Sequence, residues 1–308
     1  MSDLLGIALR FALYLDLMLL FGLGLFALYG LKASERVSGV VLNIRGWLAG
    51  TAILGVLLSM ASLLVMTRAM SGEQAWQALG PHVQMMLWQT ELGLTWILRI
   101  GALWFAVLAV MAGAAWPTGS LWLATCAAGV ALATLAWAGH GAMSDGALRA
   151  WHLMADSAHL LAAGAWFGAL AAFGLLLLPG NTQDIAPVRI LARALTGFEV
   201  VGAVLVAVLI VTGVVNYLLV VGAKLDGIIQ STYGILFSLK LALFGVMLAM
   251  AALNRFHLSP LLLRAVETGE QAMACRALRR SLSLEFGAVL LILGLVAGLG
   301  TLGPMSSD

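Results

Sequence analysis

A chain of 308 residues that is 62% hydrophobic and only 10% charged, against about 25% charged in an average soluble domain, does not belong with the soluble globular proteins. Its formal charge of +2 gives no reason to expect a nucleic-acid partner, and its two cysteines, Cys126 and Cys275, lie too far apart in sequence to suggest a disulfide framework or a zinc site. Apolar runs longer than 18 residues recur, each long enough to cross a hydrocarbon core about 30 Å thick, so the chain reads as an all-α polytopic membrane protein surrounded by lipid.

Eight transmembrane helices are expected, at 4–30, 46–66, 88–112, 119–140, 151–178, 195–220, 232–253 and 281–302. The first opens on "MSDLL", which has neither a basic flank nor a small-residue cleavage site and is read as a span rather than a removable signal. The loops after spans one, five and seven hold Lys32, Arg36, Arg45, Arg189, Arg193, Arg255, Arg264, Arg276, Arg279 and Arg280. The opposite loops hold only Arg68, Arg149 and Lys224. Positive-inside sorting makes the first set cytoplasmic. An even number of spans then places both N and C termini outside, in the periplasm of a bacterial inner membrane.

The chain also resembles itself. "QTELGLTWILR" at 89–99 aligns with "QSTYGILFSLK" at 230–240, and span one aligns with span five so that Asp16 falls on Asp156, Gly24 on Gly164 and Phe26 on Trp166. A parallel 4+4 repeat gives this pattern, with an N-terminal half at 1–140 and a C-terminal half at 141–308.

Polar residues inside the spans collect on the periplasmic side. The loop before span three carries His82, Met85 and Met86, span four ends at His140, and Met143 follows it. Span five opens "WHLMADSAHLLAAGAWFGAL", in which His152, Asp156 and His159 recur at offsets of four and seven and so form one polar stripe. Such a stripe faces protein or a water-filled cavity, because lipid penalises it heavily. Imidazole and the thioethers, Met154 among them, together suit copper, whereas zinc favours tighter thiolate or carboxylate spacing. His152 and His159 lie about 10.5 Å apart along a helix axis, too far for one ion. His140 is therefore the natural partner of His159, with Asp156 accepting from a ring N–H. His152, His82 and the methionines form an outer collecting layer. Arg99 and Lys240 lie inside spans three and seven and call for anions, for which Asp16, Glu91 and Asp156 are the candidates.

The segment "LTGFEVVGAVLVAVLIVTGVVNYLLV" and the following "STYGILFSLKLALFGVMLAMAALNRFHLSP" resemble the C-terminal domain of the CopD family of bacterial copper-resistance membrane proteins. The matching residues are Thr212, Gly213 and Asn216 in span six, Thr232, Tyr233, Gly234 and Lys240 in span seven, and Asn254 and Arg255 closing it. Asp156, His159, Trp166 and Gly168 are similar to the family's Asp-x-x-His and Trp-x-Gly elements, and "AGHGAM" at 138–143 to its Gly-His element; the resemblance covers about 135–260. It implies copper movement from periplasm to cytoplasm, together with a separate periplasmic copper-binding protein of the CopC type. The rival reading is an electron-transfer protein holding b-type haem between histidines of two helices. A purely structural or assembly subunit is a third. With no nucleotide-binding loop and no nucleophile constellation, ATP-driven pumping and enzymatic chemistry are not expected.

Overall fold

The computed structural model describes residues 2–38, 42–73, 75–138, 146–182, 184–222 and 231–300. Secondary structure among them is entirely helical. The helices are α1 (Ser2–Gly30), α2 (Ala33–Ser38), α3 (Ile44–Ser71), α4 (Gly80–Gln89), α5 (Glu91–Met111), α6 (Pro117–Ala133), α7 (Gly146–Leu176), α8 (Ile185–Val220), α9 (Thr232–Leu253), α10 (Ser259–Thr268) and α11 (Gln271–Leu299). Among the described residues eight stretches are long and apolar enough to cross a membrane, α9 and α10 counting as one with the turn between them.

Local chemistry sets the helix ends. Asn43 Oδ1 accepts from the Gly46 N–H at the start of α3, and Gly72 closes that helix at φ +70°, a left-handed conformation that favours glycine. Thr90 accepts from Gly93 N–H to begin α5, and Ser231 accepts from Gly234 N–H to begin α9. These two caps occupy aligned positions of the two self-similar segments. Helices α8 and α11 start at 185 and 271 rather than at 195 and 281, because helical hydrogen bonding continues past the uninterrupted apolar run into turns that carry arginines, Arg189 and Arg193 in α8 and Arg276, Arg279 and Arg280 in α11. Helix α4 replaces the loop expected to hold His82. It has proline in its first turn, where the missing N–H costs nothing, and it buries Met86 against Leu63 and Trp96.

The core is organised around α1, which packs on α3, α6, α7 and α11. It crosses α7 backbone to backbone: a Cβ on Gly22 would strike Gly164 and Gly168, and one on Gly168 would strike Gly22. Small residues at membrane crossings allow this close approach. In the first half α3 packs along α5, whereas α8 and α9 do not pack along their length and meet instead through rings such as Tyr217 stacked on Phe237. The space left between α7, α8, α9 and α11 contains the cavities described next.

Candidate functional site

Three cavities follow one another along this space. At the end where α7 begins, a cavity of about 210 Å³ is bordered by Arg10, His152, Asp156, His159, Asn216 and Lys240. His159 and Lys240 also border a middle cavity of about 570 Å³ whose other walls are largely apolar, with Met18 and Met247 among them. Trp166 closes that cavity and borders a third of about 400 Å³, lined by Glu199, Asn254, Arg255, Ser259 and Glu285. The third cavity lies at the arginine-rich end. His159 thus joins the first two cavities and Trp166 the last two.

The His159 ring is held across to α8, where its Nδ1 lies 2.9 Å from Thr212 Oγ1. That hydroxyl spends its one proton on Val208 O at 2.6 Å, so it accepts from His159 Nδ1–H. A neutral imidazole with Nδ1 protonated presents its lone pair at Nε2. Asp156, one turn earlier, accepts from Asn216 Nδ2 at 2.7 Å, and it shares the lining of the first cavity with Lys240. Thr212 and Asn216 are four residues apart on one face of α8, matching the stripe on α7. The ring N–H expected to meet Asp156 therefore meets a threonine on another helix.

At the third cavity the carboxylate of Glu285 is buried, 2% exposed. Its Oε1 accepts from Trp166 Nε1 at 3.1 Å and its Oε2 from Asn254 Nδ2 at 2.9 Å. Arg255 lies 3.8 Å from Glu199. Asn254 belongs to a five-residue π-helical turn, Asn254–Leu258, between α9 and α10. Wide turns of this kind gather at functional sites.

His152 is buried and shares the first cavity with His159. His82 sits half-buried on α4 with its ring 3.4 Å from Ala78 O. Met85 and Met154 are exposed and Met86 is buried in its apolar cluster. None of these four residues borders the three cavities. His140 and Met143 lie outside the described residues. Among the described residues no three His, Cys, Asp or Glu side chains come close enough to hold a metal. Among the described residues the histidines that border the three cavities, His152 and His159, both lie on α7, so the haem reading gains no support from them.

The ion pair expected of Arg99 needs correction. Arg99 donates to Thr134 Oγ1 at 2.7 Å and to Thr134 O at 3.4 Å, because α6 ends there in a 3₁₀ turn that offers a hydroxyl and a carbonyl together. Glu91 pairs with Arg149, and neither oxygen of Asp16 has a hydrogen-bond partner among the described residues. In the sequence Thr212 and Asn216 stand out only as carriers of the resemblance, and Glu285 does not stand out. A lone carboxylate within the eighth apolar run was the signal that would have found it.

Residues 1–151 match the family described as Copper resistance protein D-like, N-terminal domain, and residues 192–299 match Copper resistance protein D. The chain is 52% identical to Copper resistance protein D of Pseudomonas syringae pv. tomato over 304 residues, 99% of this chain and 98% of that protein. It is 29% identical over 308 residues to Inner membrane protein YebZ of Escherichia coli (strain K12), covering 97% of this chain and 98% of that one. No solved structure matches it. With eight spans and these relatives, the chain belongs to the CopD family, as a multi-pass inner-membrane protein with a role in copper resistance.

Proposed function

We propose that this protein carries copper from the periplasm to the cytoplasm and that His159 is the imidazole that first holds the ion within the membrane. The observation behind this reading is the hydrogen bond that ties His159 Nδ1–H to Thr212 and leaves Nε2 for a metal, at the junction of two cavities. His140 supplies the second imidazole. His152, His82, Met85, Met143 and Met154 collect the ion at the periplasmic face, where a CopC-type protein delivers it, whereas Met86 packs into its apolar cluster and takes no part. Asp156, on the same cavity as Lys240, offsets its charge near the route. The sidedness rests on the basic residues, which mark the arginine-rich end as cytoplasmic and repel a cation leaving there rather than retain it.

The test has two parts. Purified protein and its His159→Ala variant are titrated with copper, and total copper is measured in cells making each. The intact protein is expected to bind copper and raise cell-associated copper, and His159→Ala to lose both while still folding. Equal binding by the variant would move the site elsewhere. Lower cellular copper on expression of the intact protein would reverse the direction.

A further inference from the structure

The third cavity contains a constellation that holding copper does not explain. Its donor atoms are oxygens, which suit hard cations and protons rather than the copper chosen by imidazole and thioether. Glu285 is 2% exposed with its one edge on this cavity, and no cationic side chain lies within ion-pair distance of it among the described residues. A bare carboxylate in such surroundings is costly unless something neutralises it. Around it, Asn254 Oδ1 and Ser259 Oγ are buried without a hydrogen-bond partner, in residues 7% and 3% exposed that border the same cavity.

We propose that Glu285, attended by Asn254 and Ser259, is a proton-exchange site serving the arginine-rich end, and that Trp166 carries its state to the cavity that holds His159. The partner set suits a group whose proton count changes. The indole N–H of Trp166 can only donate, the Asn254 amide donates as it stands and accepts once turned over, and the Ser259 hydroxyl does either. In the ionised state Glu285 receives the two N–H bonds seen here. On protonation a new O–H bond forms at Oε2, and the amide turns so that its unpartnered Oδ1 accepts that proton. On release the O–H bond breaks, the proton passes to water in the cavity of about 400 Å³, and the electron pair stays on the carboxylate. A sodium ion fits less well, because both carboxylate oxygens already face N–H donors.

The other charged groups on this cavity are Glu199 of α8 and Arg255 of the π-helical turn, which face each other. Among the described residues α7, α9, α10 and α11 add no further titratable side chain to its lining, and α1 adds none. Trp166 borders the middle cavity as well, so its bond to Glu285 links the proton site to the copper route. That coupling depends on the proposed copper transport, whereas the proton site does not.

The test therefore needs no copper. Full-length protein in lipid nanodiscs is titrated by difference infrared spectroscopy. A carboxylic C=O band is expected to vanish as pH rises, to be absent in Glu285→Gln, and to move to higher frequency in Trp166→Phe, which removes the N–H on Oε1. Should Glu285→Gln fail to fold, Asn254→Ala keeps the carboxyl and must shift the same band. An unaltered difference spectrum in Glu285→Gln, or in Asn254→Ala where the Gln variant does not fold, would overturn the proposal. A band that responds to sodium at fixed pH would overturn it too, in favour of an alkali-cation site. Protein that titrates in this way but fails to bind copper would sink the copper reading and leave the proton site standing.

Discussion

Which imidazole nitrogen a metal meets is decided by the hydrogen bond at the other one, and in this protein Thr212 makes that choice for His159. Thr212→Val keeps the side-chain shape, and the bond it loses to Val208 O lies within α8. Copper affinity is expected to fall by about 10- to 100-fold in a competition titration, with helicity unchanged. Unchanged affinity would mean that the Thr212 bond does not govern how His159 meets the metal. Arg99 poses a different residue-scale question. Its guanidinium is 2% exposed and leans on Thr134, so Thr134→Val strands a buried donor at a cost of about 1–3 kcal/mol, to be read in thermal unfolding. Asp16, 3% exposed, lacks a hydrogen bond on either oxygen among the described residues. Asp16→Asn preserves its shape without the capacity for charge and is expected to unfold at no lower temperature. A clear loss of stability would show that an ionised carboxylate is needed there.

At the scale of elements, two joints between helices can be tested separately. The α1–α7 crossing has no room for a Cβ at Gly22 or Gly168, and a new side chain must push two backbones apart. Gly168→Val is expected to cost about 1–3 kcal/mol or more, while Gly174→Val, with open space around it, is expected to change stability little. Comparing the two separates the crossing from a general effect of replacing helical glycine. The second joint ties α2 to α8, where Arg193 donates to Glu35 at 2.5 Å and Lys32 N–H donates to the same carboxyl at 2.8 Å. Partial burial pushes that carboxyl up, but the bonds and charges of Arg193 and Lys32 outweigh it and leave the group below its ordinary value. A carboxylate held low stabilises the fold above its unfolded pKa and loses that contribution as pH falls through the folded one. Acidification below the ordinary carboxylate range should therefore narrow the stability difference between the parent and Glu35→Gln. A difference that grows on acidification would contradict the sign.

For the whole molecule the open question is orientation, on which the proposed direction of transport depends. With Cys126 and Cys275 replaced by serine, Glu73→Cys at the histidine end is expected to react with a membrane-impermeant maleimide in intact spheroplasts. Glu270→Cys at the arginine-rich end is expected to react only after lysis. The reverse pattern would turn the protein over and with it the direction of copper movement. The two halves share aligned caps at Thr90 and Ser231, as the duplication we propose requires, yet only the second opens between its second and third spans. Function is thus expected to concentrate there, with the first half serving as the wall against which α7 and α11 are held.

Span number, the all-helical class and the polar stripe of α7 were legible in the sequence because they depend on short-range periodicity and on the lipid's demand for apolar runs. The family was legible too, since its motifs sit at fixed spacing along the chain. What a buried polar atom touches depends instead on which helix lies across from it. The pairing of His159 with Thr212, Asp156 with Asn216 and Glu285 with Trp166 spans 53, 60 and 119 residues. No local pattern encodes separations of that size. Arg99 shows the same limit, for the carboxylates that charge alone assigned to it lost to a threonine hydroxyl and carbonyl presented by the end of α6. Composition and periodicity determined that the chain crosses the membrane and which face of α7 is polar. Only the packing of α7, α8, α9 and α11 decided what that face meets, because a hydrogen bond needs its partner within about 3 Å and only the tertiary fold sets that distance.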